Sequence, residues 1–196
     1  MKLAPMNYHY LRYPIKKFLD KVERSPFDSI DLYCSAPQLN IFDYPLSSLL
    51  ELDRDIRSRG LSIMAMTPEN CVYPVNFCTQ DRTTRESSIR YYQRAIDTAE
   101  FLGCPCIQIC TGFGYFDAPR EEAWNYCRDS MQQLAAYCDR KKITLFLEEL
   151  KVTTSNTIIT SADLARMLRE IDSPWVVGMV DMDQMTYAGE TVDDYF

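Results

Sequence analysis

The sequence lacks any long run of apolar residues. No window approaches the roughly 20 consecutive apolar residues that span a bilayer, and the first residues, MKLAPMNYHYLRYP, contain no continuous apolar segment of the kind found in secretion signals. We therefore expect no membrane partner and a cytoplasmic location. Basic residues are also in deficit, since 21 Lys and Arg against 28 Asp and Glu give a net charge of −7. Because binding to a phosphate backbone depends on cationic side chains, we expect no nucleic-acid partner.

Glycine is scarce as well, and no G-x-G-x-x-G turn is present among the 6 glycines. The 8 cysteines fall below the density of small disulfide-rich proteins, and without a secretion signal we interpret most of them as reduced. Three of them lie in the segment CPCIQIC, residues 104–110. Cys106 and Cys110 share one face of a predicted strand and have no C-x-x-C partner pair elsewhere, which favours core packing over metal binding.

The remaining composition is typical of a single compact domain. The chain has 196 residues, of which 46% are hydrophobic and 12% are aromatic, and a chain of this length can bury a substantial core. No repeat, low-complexity tract or linker interrupts it. We therefore predict one domain spanning residues 1–196.

The most informative segment is residues 143–150, ITLFLEEL, in which a run of apolar residues ends in two carboxylates. Apolar residues occupy both alternating sets, which is typical of a strand that is covered on both faces. The pattern returns at residues 175–181, WVVGMVD, which also ends in an acidic residue. Glu148 and Asp181 thus follow two buried strands, and because parallel α/β folds bind ligands at that edge, the two acids indicate a shared site for a divalent metal.

The whole chain alternates between predicted strands and predicted helices. Strands are predicted at residues 2–10, 29–33, 61–66, 106–110, 143–148 and 175–180. Helices are predicted to follow Pro14, to span residues 46–59, to end at Gly103, to be capped by Asp117, and to begin at Thr160 in a capping box with Asp163. A sixth helix is expected to start only at residues 195–196. This rhythm predicts a parallel sheet with right-handed crossovers.

Two α/β architectures are compatible with that rhythm: an open doubly wound sheet and a (β/α)8 TIM barrel. The first is expected to carry a glycine-rich phosphate turn, which is absent. The second brings all strand ends to one mouth and would let Asp31, Glu148 and Asp181 converge. We therefore favour the barrel. Because a complete barrel takes roughly 250 residues, the six predicted βα units indicate an incomplete barrel that stops before strands seven and eight.

Several strings resemble a known family. They are MTPENCVYPVN at 66–76, TTRESS at 83–88, LFLEEL at 145–150, TSN at 154–156 and GMVDMD at 178–183. They resemble the xylose-isomerase-like TIM barrels called sugar phosphate isomerases/epimerases, and within these the fructoselysine 3-epimerases and the ketose 3-epimerases. The resemblance is in register from about residue 12 to residue 196. It implies an isomerase or epimerase of carbohydrate metabolism whose substrate is a small sugar.

The resemblance also implies a divalent cofactor, Mn, Co or Mg. The family holds this ion between a Glu after strand five, an Asp after strand six, and a His and a Glu on later strands. By motif the first two correspond to Glu148 and Asp181, and the other two would lie beyond Phe196. Glu148 is further implied as a catalytic base, which removes the proton beside a carbonyl to give an enediolate, while a second carboxylate returns a proton on the opposite face.

Four further residues are candidates for contacting the sugar: His9, Glu69, Tyr73 and Gln184. His9 is equally compatible with a structural histidine. Ketose 3-epimerases of the tagatose type have a Glu where this chain has Thr154 and a His where it has Gln184. The particular ketose therefore does not transfer, and because the fructoselysine branch tolerates a different residue at the second position, a ketosamine is favoured.

Two other functions remain to be weighed against the epimerase. The first is a catalytically silent, truncated barrel that acts as a binding or assembly partner. An open barrel has unpaired strand edges, which favour association, so we expect a homo-oligomer. The second is an endonuclease of the same superfamily, whose trinuclear metal site needs several histidines. The chain has 1 histidine and an acidic balance, which excludes it.

Overall fold

The computed structural model describes residues 2–70 and 74–196. Within these residues the chain forms a parallel sheet of five strands whose spatial order equals their order along the chain. The strands are β1 (Ser29–Cys34), β2 (Ser62–Pro68), β3 (Cys106–Ile109), β4 (Thr144–Glu148) and β5 (Val176–Met179). Five of the predicted strands are thus confirmed, with ends shifted by at most two residues.

Helices connect successive strands and cover one face of the sheet. They are α1 (Ile15–Val22), α2 (Leu46–Ser58), α3 (Arg82–Leu102), α4 (Arg120–Lys141), α5 (Ser161–Ile171) and α6 (Met182–Ala188), with short 3-10 helices at Asn7–Tyr10 and Val192–Asp194. In a doubly wound sheet the strand order reverses at a switch point. Here it does not, and the architecture is a partial TIM barrel. No helix in the described part of the chain is both long enough and apolar enough to cross a membrane.

The strand predicted at residues 2–10 is wrong except at one residue. Met6 forms a single parallel bridge with Asp31, and residues Asn7–Tyr10 turn into a 3-10 helix. The buried side chain of Asn7 takes the place of further backbone hydrogen bonds between this segment and β1. Its Oδ1 accepts from the N–H of Tyr33 at 2.7 Å, and its Nδ2 donates to the carbonyl of Tyr33 at 3.0 Å. This side chain pairing ends the backbone pairing, so the first of the six predicted βα units contributes a bridge rather than a strand.

Strand β4 presents its two faces to different surroundings. Leu145 and Leu147 are fully buried, while Phe146 is half-buried. Leu147 pairs with Gly178 of β5, and a Cβ on Gly178 would meet the side chains of α5. Leu147 therefore faces the helices. Because side chains alternate along a strand, Phe146 and Glu148 face the inside of the partial barrel.

The predicted helix ends agree only in part. Gly103 ends α3 with a φ of 66°, and the hydroxyl of Thr160 caps α5 by accepting from the N–H of Asp163 at 3.1 Å, as predicted. The predicted cap at Asp117 is wrong, because α4 begins at Arg120 with Pro119 as its N-cap and no side-chain cap. The expected late start of the sixth helix is also wrong, because α6 begins directly after Asp181.

Candidate active site

Glu148 is the last residue of β4, and 6% of its surface is exposed. Its Oε2 accepts hydrogen bonds from Nε2 of Gln108 and from Sγ of Cys110, the latter at 3.3 Å. Both donors come from β3 and its C-terminal end. Two donors on the neighbouring strand therefore hold one oxygen of this carboxyl group in a fixed position.

Asp181 lies two residues beyond the end of β5, the strand that pairs with β4. Its Oδ1 accepts from the backbone N–H of Asp183 at 2.7 Å and of Gln184 at 3.2 Å, so it is the N-cap of α6. An acidic cap is favourable because the first N–H groups of a helix lack backbone acceptors. The short helix thus holds Asp181 beside the end of β4.

Burial raises the pKa of the Glu148 carboxyl to about 7, and the neighbouring Asp181 adds to the increase, while the hydrogen bonds from Gln108 and Cys110 oppose it. Asp181 influences Glu148 both through its charge and through a side-chain contact. The structure therefore brings the two predicted metal ligands together. A carboxyl group with a pKa near neutrality is suited to exchanging protons with a substrate at physiological pH.

The two carboxylates fit part of a divalent-cation site. Two like charges in contact repel each other, and a divalent cation between them would remove that repulsion while using the oxygen ligands that hard cations prefer. Among residues 2–70 and 74–196, however, no group of three or more His, Cys, Asp and Glu side chains is placed to hold a metal. Glu148 and Asp181 thus supply two ligands, and a full coordination shell needs more.

Glu149, the residue after Glu148, is completely buried. Its Oε1 accepts from the hydroxyl of Tyr195 at 3.0 Å, and that hydroxyl is also 3.0 Å from Oε2 of Glu190. Burial raises the pKa of Glu149, and its Oε2 is one of two buried side-chain oxygens without a hydrogen-bond partner in the described part of the chain. The hydrogen bond from Tyr195 to Glu149 joins the segment around residue 195 to the end of β4.

Gln184 lies in the first turn of α6, close to Asp181. Its Oε1 accepts from the backbone N–H of Lys151 at 2.8 Å. This hydrogen bond joins α6 to the loop that follows β4. Of the predicted sugar-contacting residues that the structure describes, Gln184 is the one placed next to the carboxylate pair.

Glu69 and His9 belong to a second group, at the ends of β1 and β2. Tyr33 donates its hydroxyl to Oε2 of Glu69, and the Tyr33 ring packs edge-on against Tyr8, which in turn packs against His9. No hydrogen bond or ring contact among the described residues joins Glu69 or His9 directly to Glu148 or Asp181. The predicted contact residue Tyr73 lies outside the described residues.

Asn70 connects the two groups. Its Nδ2 donates to the carbonyl of Cys110 at 3.0 Å, and its Oδ1 is the other buried oxygen without a partner in the described segments. Neither Asn70 nor Gln108 is predicted from the sequence as a site residue. The available signal for Gln108 is that it shares a strand face with Cys106 and Cys110 and is the one amide in that strand.

The predicted convergence of Asp31 with the pair is wrong. Asp31 lies within β1, and both its carboxylate oxygens accept from the hydroxyl of Thr67, at 3.0 and 3.2 Å. Its charge acts on Cys104 and Cys106, at the start of β3. Glu148 lies at the far end of the neighbouring strand β4. Because Asp31 is in the middle of its strand rather than at its end, it faces the floor of the partial barrel and not its mouth.

A parallel barrel with acidic residues at the ends of adjacent strands defines an α/β barrel protein with a polar site at its C-terminal face. Residues 19–196 match the model of the xylose isomerase-like TIM barrel family, and the chain belongs to this family. No curated protein sequence matches the chain.

Solved structures share the fold at low sequence identity. D-psicose 3-epimerase crystallised with D-fructose superposes with a TM-score of 0.83 and 15% identity, covering 100% of this chain and 68% of that one. The 3-keto-D-glucoside 4-epimerase from E. coli superposes with a TM-score of 0.83 and 16% identity, covering 100% of this chain and 73% of that one. The IOLI protein with a bound zinc atom superposes with a TM-score of 0.82 and 17% identity, covering 99% of this chain and 67% of that one. At these identities the likeness shows the shared fold.

Proposed function

We propose that the protein is a metal-dependent epimerase or isomerase that acts on a ketose or a ketosamine. The observation that carries the proposal is the pairing of Glu148 and Asp181 at the ends of β4 and β5, where burial raises the pKa of Glu148 to about 7. Structural neighbours include several sugar epimerases, and neighbours with bound zinc and with bound magnesium are also found. These neighbours support the reaction class and a divalent metal in general, and from the family resemblance we propose Mn, Co or Mg.

In this proposal Glu148 is the general base. It takes the proton from the carbon next to the substrate carbonyl, and Gln108 and Cys110 hold its Oε2 in place during the transfer. Glu148 and Asp181 would hold the cation, which supplies polarisation of the carbonyl oxygen and so makes the neighbouring C–H more acidic. Gln184, Glu69, Tyr73 and His9 are proposed to contact the sugar, with Gln184 nearest to the reacting carbon.

We further propose that residues 1–196 form one domain without counterparts of barrel strands seven and eight. The chain spans 68% and 67% of the length of two psicose 3-epimerase structures, which supports this. The resemblance assigns a His ligand and a Glu ligand to those strands, and the second carboxylate would return the proton on the opposite face. The substrate proton is then expected to exchange with solvent only when these groups are supplied.

The test is exchange of the ketose C3 proton with D2O, followed by NMR in the presence of Mn²⁺. It is run on the 196-residue chain and on a form extended by whatever coding sequence follows. We expect metal-dependent exchange in the extended form and its loss in Glu148→Gln. The matched control is Glu122→Gln, an exposed carboxylate in the first turn of α4. Exchange that survives Glu148→Gln, or an extended form that binds no metal, would refute the proposal.

A second candidate function is a catalytically silent assembly partner. It is favoured by β5, which lies at the end of the sheet with one neighbouring strand in the described chain. Val177 on this strand is 36% exposed, and an open edge with exposed apolar groups promotes association. Light scattering discriminates between the two. Stable homo-oligomers that bind no metal support the silent partner, whereas metal binding with proton exchange supports the enzyme.

A further inference from the structure

A cavity of about 360 Å³ lies between α6 and the loop that follows β4. The loop contributes residues 151–153 together with Ile159 and Thr160, and α6 contributes Tyr187 and Ala188. Ligand pockets occupy roughly 300 to 1,000 Å³. The cavity is therefore large enough for one small ring, and none of its described lining residues belongs to the proposed catalytic machinery.

The elements that form the cavity are those that carry the carboxylate pair. Lys151 is three residues after Glu148, and Tyr187 is six residues after Asp181. The hydrogen bond from the Lys151 N–H to Oε1 of Gln184 joins the two walls. Because residues three apart are neighbours on a helix surface, Gln184 and Tyr187 share one face of α6. A substrate bound beside Gln184 therefore has the cavity next to it.

The charge of the cavity is balanced, which disfavours an anionic ligand. The ammonium of Lys151 lies 4.3 Å from the centroid of the Tyr187 ring and 3.9 Å from Oδ2 of Asp183. A phosphate or carboxylate group would meet one cation that already has an aromatic face and a carboxylate beside it. Neutral ligands are therefore favoured over charged ones.

The remaining lining is suited to a sugar ring. Tyr187 is 66% exposed, so the part of its ring that Lys151 does not cover is open to solvent. Thr153 and Thr160 add hydroxyl-bearing side chains from the loop side of the cavity. Apolar pockets with an aromatic platform and a few polar groups bind ligands that have both apolar faces and hydroxyls. A pyranose ring has this character.

We infer that this cavity is a subsite for a neutral sugar residue joined to the reacting ketose, so that the preferred substrate is a glycosyl-substituted keto-sugar. The inference rests on the proposed function, because the subsite has meaning only beside a ketose at Glu148 and Asp181. It adds a substrate class, namely a ketose carrying a second ring, and it assigns Tyr187 as the residue that determines this specificity.

The test compares two ligands by isothermal titration in the presence of Mn²⁺: fructose and isomaltulose, which is fructose with a glucosyl group on O6. One aromatic contact with a ring contributes about fivefold to tenfold in affinity, so we expect isomaltulose to bind tighter than fructose by that factor. Tyr187→Ala should remove the preference without changing the affinity for fructose, and Tyr187→Phe should retain it. Phe101→Ala, which removes an exposed aromatic residue from the last turn of α3, is the control and should change neither affinity.

The outcomes separate the inference from the proposed function. Binding of fructose with no preference for isomaltulose overturns the subsite and leaves the epimerase proposal standing. A preference that persists in Tyr187→Ala also overturns the subsite. Binding of neither ligand overturns the subsite, and the proposed function is then decided separately by the exchange of the C3 proton in D2O.

Discussion

The buried carboxyl group of Asp31 makes the stability of the protein depend on pH. Burial raises the pKa of Asp31 from 3.8 to about 6, against the opposing hydrogen bond from Thr67. Among the described residues no cationic side chain contributes to this pKa, so the ionised form has the Thr67 hydroxyl as its main compensation. The perturbation that tests this is Asp31→Asn, which removes the charge and keeps an oxygen that can accept from Thr67.

The direction and the size of the change in unfolding free energy with pH follow from the pKa of Asp31. Because the folded-state pKa lies above the unfolded value, the folded state binds more protons between pH 3.8 and about pH 6. The free energy of unfolding therefore decreases as the pH rises through this window and stays lower above it. Raising the pKa from 3.8 to about 6 corresponds to roughly 3 kcal/mol at 1.36 kcal/mol per pKa unit. Asp31→Asn should thus be more stable than the native chain by up to roughly 3 kcal/mol at pH 8, and about equal to it near pH 4.

The assay is urea unfolding of both chains at pH 4, 5, 6, 7 and 8, with the difference in unfolding free energy plotted against pH. All other titrating groups are common to the two chains, so the difference isolates Asp31. Thr67→Val serves as the companion variant. Loss of the hydroxyl should raise the pKa of Asp31 further, so that the ionised Asp31 lowers the free energy of unfolding at pH 8 by more than it does in the native chain. A difference that is flat between pH 4 and pH 8 would refute the reasoning.

Two further predictions concern the packing of the sheet. Asn7→Ala removes the side chain that bonds the backbone of Tyr33 at 2.7 and 3.0 Å. Because a buried N–H loses its partner, we expect the free energy of unfolding in urea to fall by about 2 to 4 kcal/mol. A decrease below about 0.5 kcal/mol would contradict this prediction. Gly178→Ala places a Cβ at 3.2 Å from Leu164 and 3.3 Å from Leu168. We expect destabilisation by about 1 to 3 kcal/mol from overpacking, whereas an unchanged unfolding midpoint would show that α5 moves away freely.

The sequence predicts the strands well because their burial is recorded in the chain itself. Apolar runs such as residues 143–148 are typical of strands that are covered on both faces. In a parallel sheet the carboxyl ends of such strands lie at the same edge. This is why the proximity of Glu148 and Asp181 was predictable. The misplacement of Asp31 has the same origin: an acid within a strand was interpreted like an acid at a strand end.

Other features depend on contacts that no local pattern encodes. Asn7 ends the first strand through a side chain that bonds the backbone 26 residues away. Gln108 reaches Glu148 only because β3 and β4 are neighbours in the sheet. The helix α6 is short, with 7 residues and one buried side chain, so its apolar stripe is too brief to detect.

Asp181 has two tasks that are coupled through a single carboxylate. The oxygen that caps α6 belongs to the same group that meets Glu148, and Tyr187 stands on the same short helix. A ligand that draws this carboxylate away from the N–H groups of Asp183 and Gln184 removes the cap of α6, and by linkage a ligand that stabilises the capped helix opposes that displacement by the same free energy. Binding of a ligand at Asp181 and binding of a ligand at Tyr187 are therefore thermodynamically coupled. The coupling runs through the 7 residues of α6.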